Sequence, residues 1–256
     1  MAFAMSEELL PVFAPIIVYW IVAVIYEVAL CPMEHYRLFT KEEETQNLAT
    51  RRQVLVVVLI NQATQMGVAT LMNFVSGGLV PAGTTAQSPS LVRTVGQMVV
   101  AMLILDCWAY FWHRWTHENK FLYKHVHSMH HRLIVPYSYG AQYQHPVDTF
   151  GGEVVGVLMA TLVSGMSPRM TAVFFSLLSL KTVEDHCAMW FPNHPIHRWM
   201  TNNSAFHFLH QQHVGIKCNY SNHYLATWDL LLGTYLPFSV EPRKDGGYQL
   251  RTAKDE

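Results

Sequence analysis

Histidines supply the chemistry that the sequence offers most plainly. "HRWTH" places His113 and His117 four residues apart, "HSMHH" places His127, His130 and His131 at i, i+3 and i+4, and "FHFLHQ" places His207 and His210 at i and i+3. Residues three and four apart share one face of an α-helix. A single pair of this kind is often just two solvated or hydrogen-bonded rings. Three imidazoles converging on one helical face would repel if protonated, so the trio makes sense with a metal that keeps them neutral. A structural zinc takes four ligands, usually with thiolate among them. The three boxes offer seven imidazoles, a number that suits two metals. Imidazole accepts iron, zinc or copper, so ligand type alone leaves the metal open. No Ser-His-Asp order, phosphate loop or nucleotide fingerprint competes for the assignment.

The elements that must position these residues are membrane helices. The chain has 256 residues, 51% hydrophobic and only 14% charged, against roughly a quarter charged in soluble domains. Net charge is −1 with no basic stripe, which excludes nucleic acid as an expected partner. Four widely spaced cysteines (Cys31, Cys107, Cys187 and Cys218) lack CxxC spacing and read as structural thiols. Spans are expected at about 10–30, 54–75 and 91–111, each apolar for long enough to cross a hydrocarbon core of about 30 Å. The first is too long for a signal-peptide core and no basic residue precedes it, so no cleavage is expected. From 151 to 180 the chain is apolar again but broken by "SGMSPR", which predicts a helical hairpin that dips into the membrane and returns.

Basic residues fix the expected orientation. Arg37, Lys41, Arg51 and Arg52 lie between the first two spans, and Arg114, Lys120, Lys124 and Arg132 follow the third. The amino-terminal tail and the 76–90 loop carry none, so positive-inside counting puts every histidine box on the cytosolic side. The expected fold is therefore an all-α membrane protein. About three transmembrane helices and a membrane hairpin carry a cytosolic helical cap, residues 113–146 and 184–235, within one domain spanning 1–256. The final "AKDE" lacks the Leu of a lumenal retention signal.

Taken together, "HRWTH", "KFLYKHVHSMHHRLIVPYSYGAQYQHP", "KTVEDHC", "NNSAFHFLHQ" and "WDLLLGTYLPF" resemble the fatty-acid hydroxylase/sterol desaturase superfamily. Within it they look most like the plant sphingoid-base C-4 hydroxylases, over nearly the whole chain. The resemblance implies a non-haem di-iron oxygenase of the endoplasmic reticulum. Such an enzyme takes electrons from cytochrome b5 and its reductase and uses dioxygen to hydroxylate sphinganine at C-4; zinc can replace iron in purified protein. Carried over by position, the implied metal ligands are His113, His117, His127, His130, His131, His186, His207 and His210. His145 in "YQHP" also matches a family position, as a ligand or as a residue near the substrate channel. His194 and His197, beside prolines, read as loop residues, and Tyr137, Tyr139 and Tyr143 as interfacial aromatics.

Two positions depart from the family's last box, which usually reads HDxHHQ. Phe208 stands where a carboxylate is expected and Gln211 where a histidine is expected. Gln211 can bind a metal weakly through its carbonyl oxygen or through water. His213 lies roughly 160° around a helix from position 211 and points away unless the helix ends there, as Gly215 allows. "SNHY" replaces the usual SQPF, which leaves His223 without a family role. The box grammar alone does not separate this hydroxylation from sterol C-5 desaturation, C-4 methyl oxidation, fatty-acid 2-hydroxylation or aldehyde decarbonylation. Gln211 and Phe208 also raise the reading of a catalytically silent scaffold that binds metal. Few charged residues line the spans, which argues against a metal transporter.

Overall fold

Four helices in the computed structural model, which describes residues 7–76 and 90–253, are long and apolar enough to cross a membrane. They are Leu10–Leu30, Arg51–Leu71, Leu91–Glu118 and Pro146–Ser164. The chain is thus a multi-pass membrane protein. Residues 1–6, nearly all of the 76–90 loop and the carboxyl-terminal 254–256 lie outside the described residues.

Local sequence explains each element. Helix α1 (Leu10–Ile25) starts with Pro at its first turn and runs into a π-helical turn, Tyr26–Leu30. Helix α2 (Lys41–Glu44) is one turn closed by a capping box between Thr40 and Glu43. Helix α3 (Arg51–Ser76) is followed by α4 (Leu91–Glu118), whose Ser90 cap accepts the Arg93 N–H at 3.3 Å. The histidines of the first box therefore sit on the last turns of a helix that continues beyond the expected span. Asn119 then caps the short α5 (Lys120–His125).

The expected membrane hairpin is longer than its sequence suggests. Its first arm begins not at Gly151 but at α6 (Pro146–Asp148), continues through a π-helical Thr149–Val154, and becomes α7 (Val155–Ser164). That start gives it the 19 residues of a fourth candidate span. Gly165, in the left-handed region, ends the arm, and Ser167 with Pro168 starts α8 (Pro168–Asp185), so the turn falls where "SGMSPR" places it.

Three short helices follow: α9 (Pro195–Trp199), α10 (Ser204–Gln211) and α11 (Thr227–Leu232). An antiparallel hairpin departs from the all-α expectation: β1 (Phe238–Pro242) pairs with β2 (Tyr248–Thr252). Alternation explains it, because Phe238, Val240, Tyr248 and Leu250 turn one apolar face onto Leu38, Phe39, Val135 and Phe208.

Helix α1 packs along α8, and α4 along α7. Ile21, Leu59, Leu103 and Leu162 stay exposed on the outer faces, as lipid contact requires. One end of this bundle gathers the carboxyl ends of α1, α4 and α8 and the amino ends of α3 and α6. Leu48 N–H donates to Arg132 O there, and Arg51 reaches Glu27 at 2.8 Å and stacks on Tyr137. The basic segments 37–52 and 114–132 thus share the end that carries the histidines.

Gly151 permits a close approach that the site needs. A Cβ there would lie 2.0 Å from the Trp112 ring, whose Nε1 donates to Asp148 Oδ1 at 2.7 Å. Gly151→Val should therefore displace Trp112 and destabilise the protein by about 1–3 kcal/mol. Thermal unfolding in detergent checks this; an unchanged midpoint would contradict the packing argument.

Candidate metal centre

The eight histidines assemble into two buried groups. His113, His117, His127, His131 and His210 form one, with ligand atoms within 4.8 Å of one another, and His130, His186 and His207 form the second. The boxes do not map onto these groups one by one. His127 and His131 turn to the larger group while His130 turns to the smaller, and α10 sends His210 to the first and His207 to the second. The expectation that the second box converges from one helical face is corrected here. Residues His127–Arg132 form a 3-10 segment rather than an α-helix, and partners on different sides pull its rings apart.

Those partners fix the rings from behind. His113 Nδ1 donates to Tyr220 O at 2.7 Å, His127 Nδ1 to Asp148 Oδ2 at 2.6 Å, and His210 Nδ1 to Cys218 O at 2.7 Å. In the smaller group His130 Nδ1 donates to Tyr143 O at 3.1 Å and His186 Nδ1 to Thr182 O at 2.8 Å. A ring whose Nδ1 carries the proton keeps its lone pair on Nε2. The Nε2 atoms then crowd together: His113 to His127 at 3.1 Å, His113 to His117 at 3.2 Å, and His117 to His131 at 3.1 Å.

Those separations fit a shared ion. With metal–nitrogen bonds near 2.1 Å, neighbouring ligand nitrogens sit roughly 3.0–3.4 Å apart. Nε2 of His210 and Nε2 of His186 are buried with no hydrogen-bond partner, as lone pairs awaiting a cation would be. Burial and the neighbouring His127 push the titration of His130 down to about 4, and burial with His130 nearby pushes that of His186 down to about 3. Burial likewise lowers His210 to about 3 and holds His131 and His207 well below the ordinary range. These shifts all favour the neutral ring, which is the form that binds a metal.

Gln211 belongs to the three-histidine group. Its Nε2 reaches His130 Nε2 at 2.7 Å and His207 Nε2 at 3.2 Å, while its Oε1 is buried without a partner. Nothing holds the amide in that orientation except the two lone pairs, and turning it over presents the oxygen instead. The shortage of imidazole thus falls on one group only. Phe208, in place of the expected carboxylate, is buried against Leu38, Phe39 and Val135 and takes no part.

The remaining candidates stand apart. His213 is exposed and joins neither group, although α10 does end at Gln211. The chain turns back so sharply that a Cβ on Gly215 would lie 1.9 Å from Leu209 O, and this return delivers the Cys218 carbonyl to His210 rather than His213 to the metal groups. His145 is half-buried and caps α6 through Nδ1, which accepts the Val147 N–H at 3.2 Å. His197 donates to Glu184 at 2.5 Å, beside the buried Lys181. His223, with φ of 68°, lines the cavity described next.

A cavity of about 300 Å³ runs from Pro11 and Pro15 of α1 and Leu162 of α7 to His113, His130 and His207. Its wall joins the apolar bundle to both histidine groups. Sequence reasoning missed two supports. Asp148 orients His127, and its signal was a lone acid three residues after His145 in an apolar run. Asp229 of α11 accepts the backbone N–H groups of Tyr220 and Ser221 at 2.9 and 2.7 Å, so "WDLLLGT" holds the carbonyl that orients His113.

A folded-state depression of histidine titration has a defined pH consequence. Below about 6.5 the unfolded chain binds protons that the buried rings do not, so stability is full above that value and falls with pH down to about 4 and 3. Metal-stripped protein in detergent should show a thermal midpoint that declines across pH 6.5 to 4; a flat profile would contradict the burial of neutral rings.

Residues 98–234 match the fatty acid hydroxylase family. The chain is 49% identical to sphinganine C4-monooxygenase 1 of Arabidopsis thaliana, covering 100% of this chain and 98% of that protein. It is 43% identical to a very-long-chain aldehyde decarbonylase of Oryza sativa subsp. indica (98% and 97% covered). It is also 32% identical to the sphingolipid C4-hydroxylase of Schizosaccharomyces pombe (94% and 92%). No solved structure matches the chain. With paired groups of buried imidazoles at the mouth of an apolar bundle, a matching family model and whole-length likeness to these relatives, the protein belongs to the fatty acid hydroxylase family.

Proposed function

We propose that this protein hydroxylates sphinganine at C-4, using a di-iron centre at the cytosolic face of the endoplasmic reticulum membrane. The carrying observation is the pair of histidine groups, each with lone pairs turned inward, opening on a cavity that reaches into the membrane bundle. His113, His117, His127, His131 and His210 would hold one iron. His130, His186 and His207 would hold the other, with Gln211 completing the shell through its carbonyl oxygen or a water.

When bound, the iron pair supplies dioxygen activation, with electrons from cytochrome b5 and its reductase. One oxygen atom enters the C–H bond at C-4 and the other leaves as water, with two electrons and two protons consumed. The chain's own residues do the rest. Asp148 and the carbonyls of Tyr220, Cys218, Tyr143 and Thr182 keep Nδ1 of His127, His113, His210, His130 and His186 protonated and those rings fixed. Pro11, Val12, Leu158 and Leu162 line the membrane side of the cavity, receive the alkyl chain and exclude water from the reacting carbon. The orientation rests on the two basic segments that flank the histidine end.

The test is reconstitution. Iron-loaded protein with reductase, cytochrome b5 and sphinganine should give the trihydroxy base by mass spectrometry, with two irons per chain. His210→Ala should abolish product, and Gln211→His should leave turnover equal or higher. The similarity to the rice protein motivates a parallel assay with a long-chain aldehyde. Alkane from the aldehyde and no trihydroxy base would transfer the assignment to decarbonylation. Fewer than two metals per chain, unchanged by Gln211→His, would favour a silent scaffold.

A further inference from the structure

Three carboxylates line the cavity, and two are spoken for. Asp148 is held by His127 and by Trp112, and Asp185 by Lys181. Glu153 has no lysine, arginine or histidine within ion-pairing distance among the described residues. Three amides surround it instead. Its Oε2 accepts from Gln65 Nε2 at 2.5 Å and Gln142 Nε2 at 3.2 Å, and its Oε1 accepts from Gln144 Nε2 at 2.5 Å.

The direction of the Gln142 hydrogen bond follows from Trp20. An indole N–H can only donate. Trp20 Nε1 donates to Gln62 Oε1 at 2.8 Å, which turns the Gln62 amide nitrogen to Gln142 Oε1 at 2.9 Å, which in turn leaves the Gln142 nitrogen for Glu153. Asn61 Nδ2 fixes the same loop by donating to the carbonyls of Gln142 and Gln144 at 3.1 and 2.8 Å. Glu153 ends this chain as an acceptor at Oε2, and Gln144 meets its other oxygen.

A carboxyl group inside a membrane bundle, met only by amide dipoles, is costly to ionise alone and marks a place where a cation would be welcome. The substrate read above carries one. Sphinganine bears an ammonium on C-2, two bonds from C-4. Glu153 follows Asp148 by five residues on one helical run, roughly one π-helical turn further along it, and Asp148 touches His127. An ammonium held by Glu153 at about 2.8 Å spans part of that interval, and the step from C-2 to C-4 spans more.

We propose that Glu153, cradled by Gln65, Gln142 and Gln144, is an ammonium subsite that selects a free long-chain amine over its N-acylated form and sets which carbon faces the histidines. This rests on the sphingoid-base reading of the cavity. Acylation removes the charge, so the amide form loses its partner and leaves the carboxylate unpaired.

The experiment uses the full chain in phosphatidylcholine nanodiscs, with sphinganine and N-acetylsphinganine as probes. Equilibrium binding is measured on metal-free protein, and turnover separately on iron-loaded protein. Wild type should bind sphinganine about tenfold to a hundredfold more tightly than N-acetylsphinganine. Glu153→Gln should erase that preference by weakening sphinganine alone, while Val163→Ala, on the exposed outer face of α7, should preserve it. Equal wild-type affinity for the two probes overturns the subsite even if Glu153→Gln fails to fold. Undiminished sphinganine binding by a folded Glu153→Gln overturns it too. A preference for sphinganine without any hydroxylated product would leave the subsite standing and remove the C-4 reading; hydroxylation of both probes by wild type with equal affinity would do the reverse.

Discussion

Lone-pair crowding is the constraint on which the site depends. The Nδ1 protons of His113, His127, His130, His186 and His210 are committed to carbonyls or to Asp148, and the Nε2 atoms of the larger group face one another about 3 Å apart. Neutral rings repel less than charged ones, yet inward-facing lone pairs gain nothing from proximity without a cation. The surrounding architecture holds them there regardless. Asp229 braces the Tyr220 carbonyl, Trp112 braces Asp148, and Gly151 lets Trp112 approach. The helices therefore do more than cross a membrane: they hold a set of ligand atoms in place before any ion arrives.

A second polar system lies deeper, and its logic differs. Around the histidines, donors point outward and lone pairs inward. Around Glu153, amide donors point inward, from Trp20 through Gln62 and Gln142 to the carboxylate. One region is arranged for a cation held by nitrogen, the other places a carboxyl group in the wall of the same cavity. A long-chain molecule with an apolar tail and a polar head meets both in sequence, and the bundle's apolar walls supply the tail's environment.

Much of this was legible from residue order. Hydropathy gave the first three spans, and the spacing in "HRWTH" gave a helix running out of the membrane, because α4 obeys one period throughout. "SGMSPR" marked a turn because Gly165 and Pro168 have strong local preferences. Non-local pairings stayed hidden. Nothing in "HSMHH" announces that neighbours His130 and His131 face different groups, since that depends on Tyr143 and Asp148 arriving from elsewhere. The span beginning at Pro146 was obscured by two glycines whose purpose is contact with Trp112. The β-hairpin was passed over although "KDGG" between alternating apolar residues is a turn signal. Gln211 could be flagged as unusual, but only its neighbours tell which histidines are short of a partner.

The adjacency of His130 and His131 has a consequence for how this chain can change. The two groups of imidazoles draw on consecutive residues of one six-residue segment, so a single inserted or deleted residue between 127 and 131 would misdirect rings in both at once. Substitutions can be absorbed one position at a time, as Gln211 and Phe208 illustrate, whereas length within that segment is frozen. Loop growth and shrinkage among relatives should accordingly be confined to the connections outside it, and variation inside it should take the form of exchanged side chains.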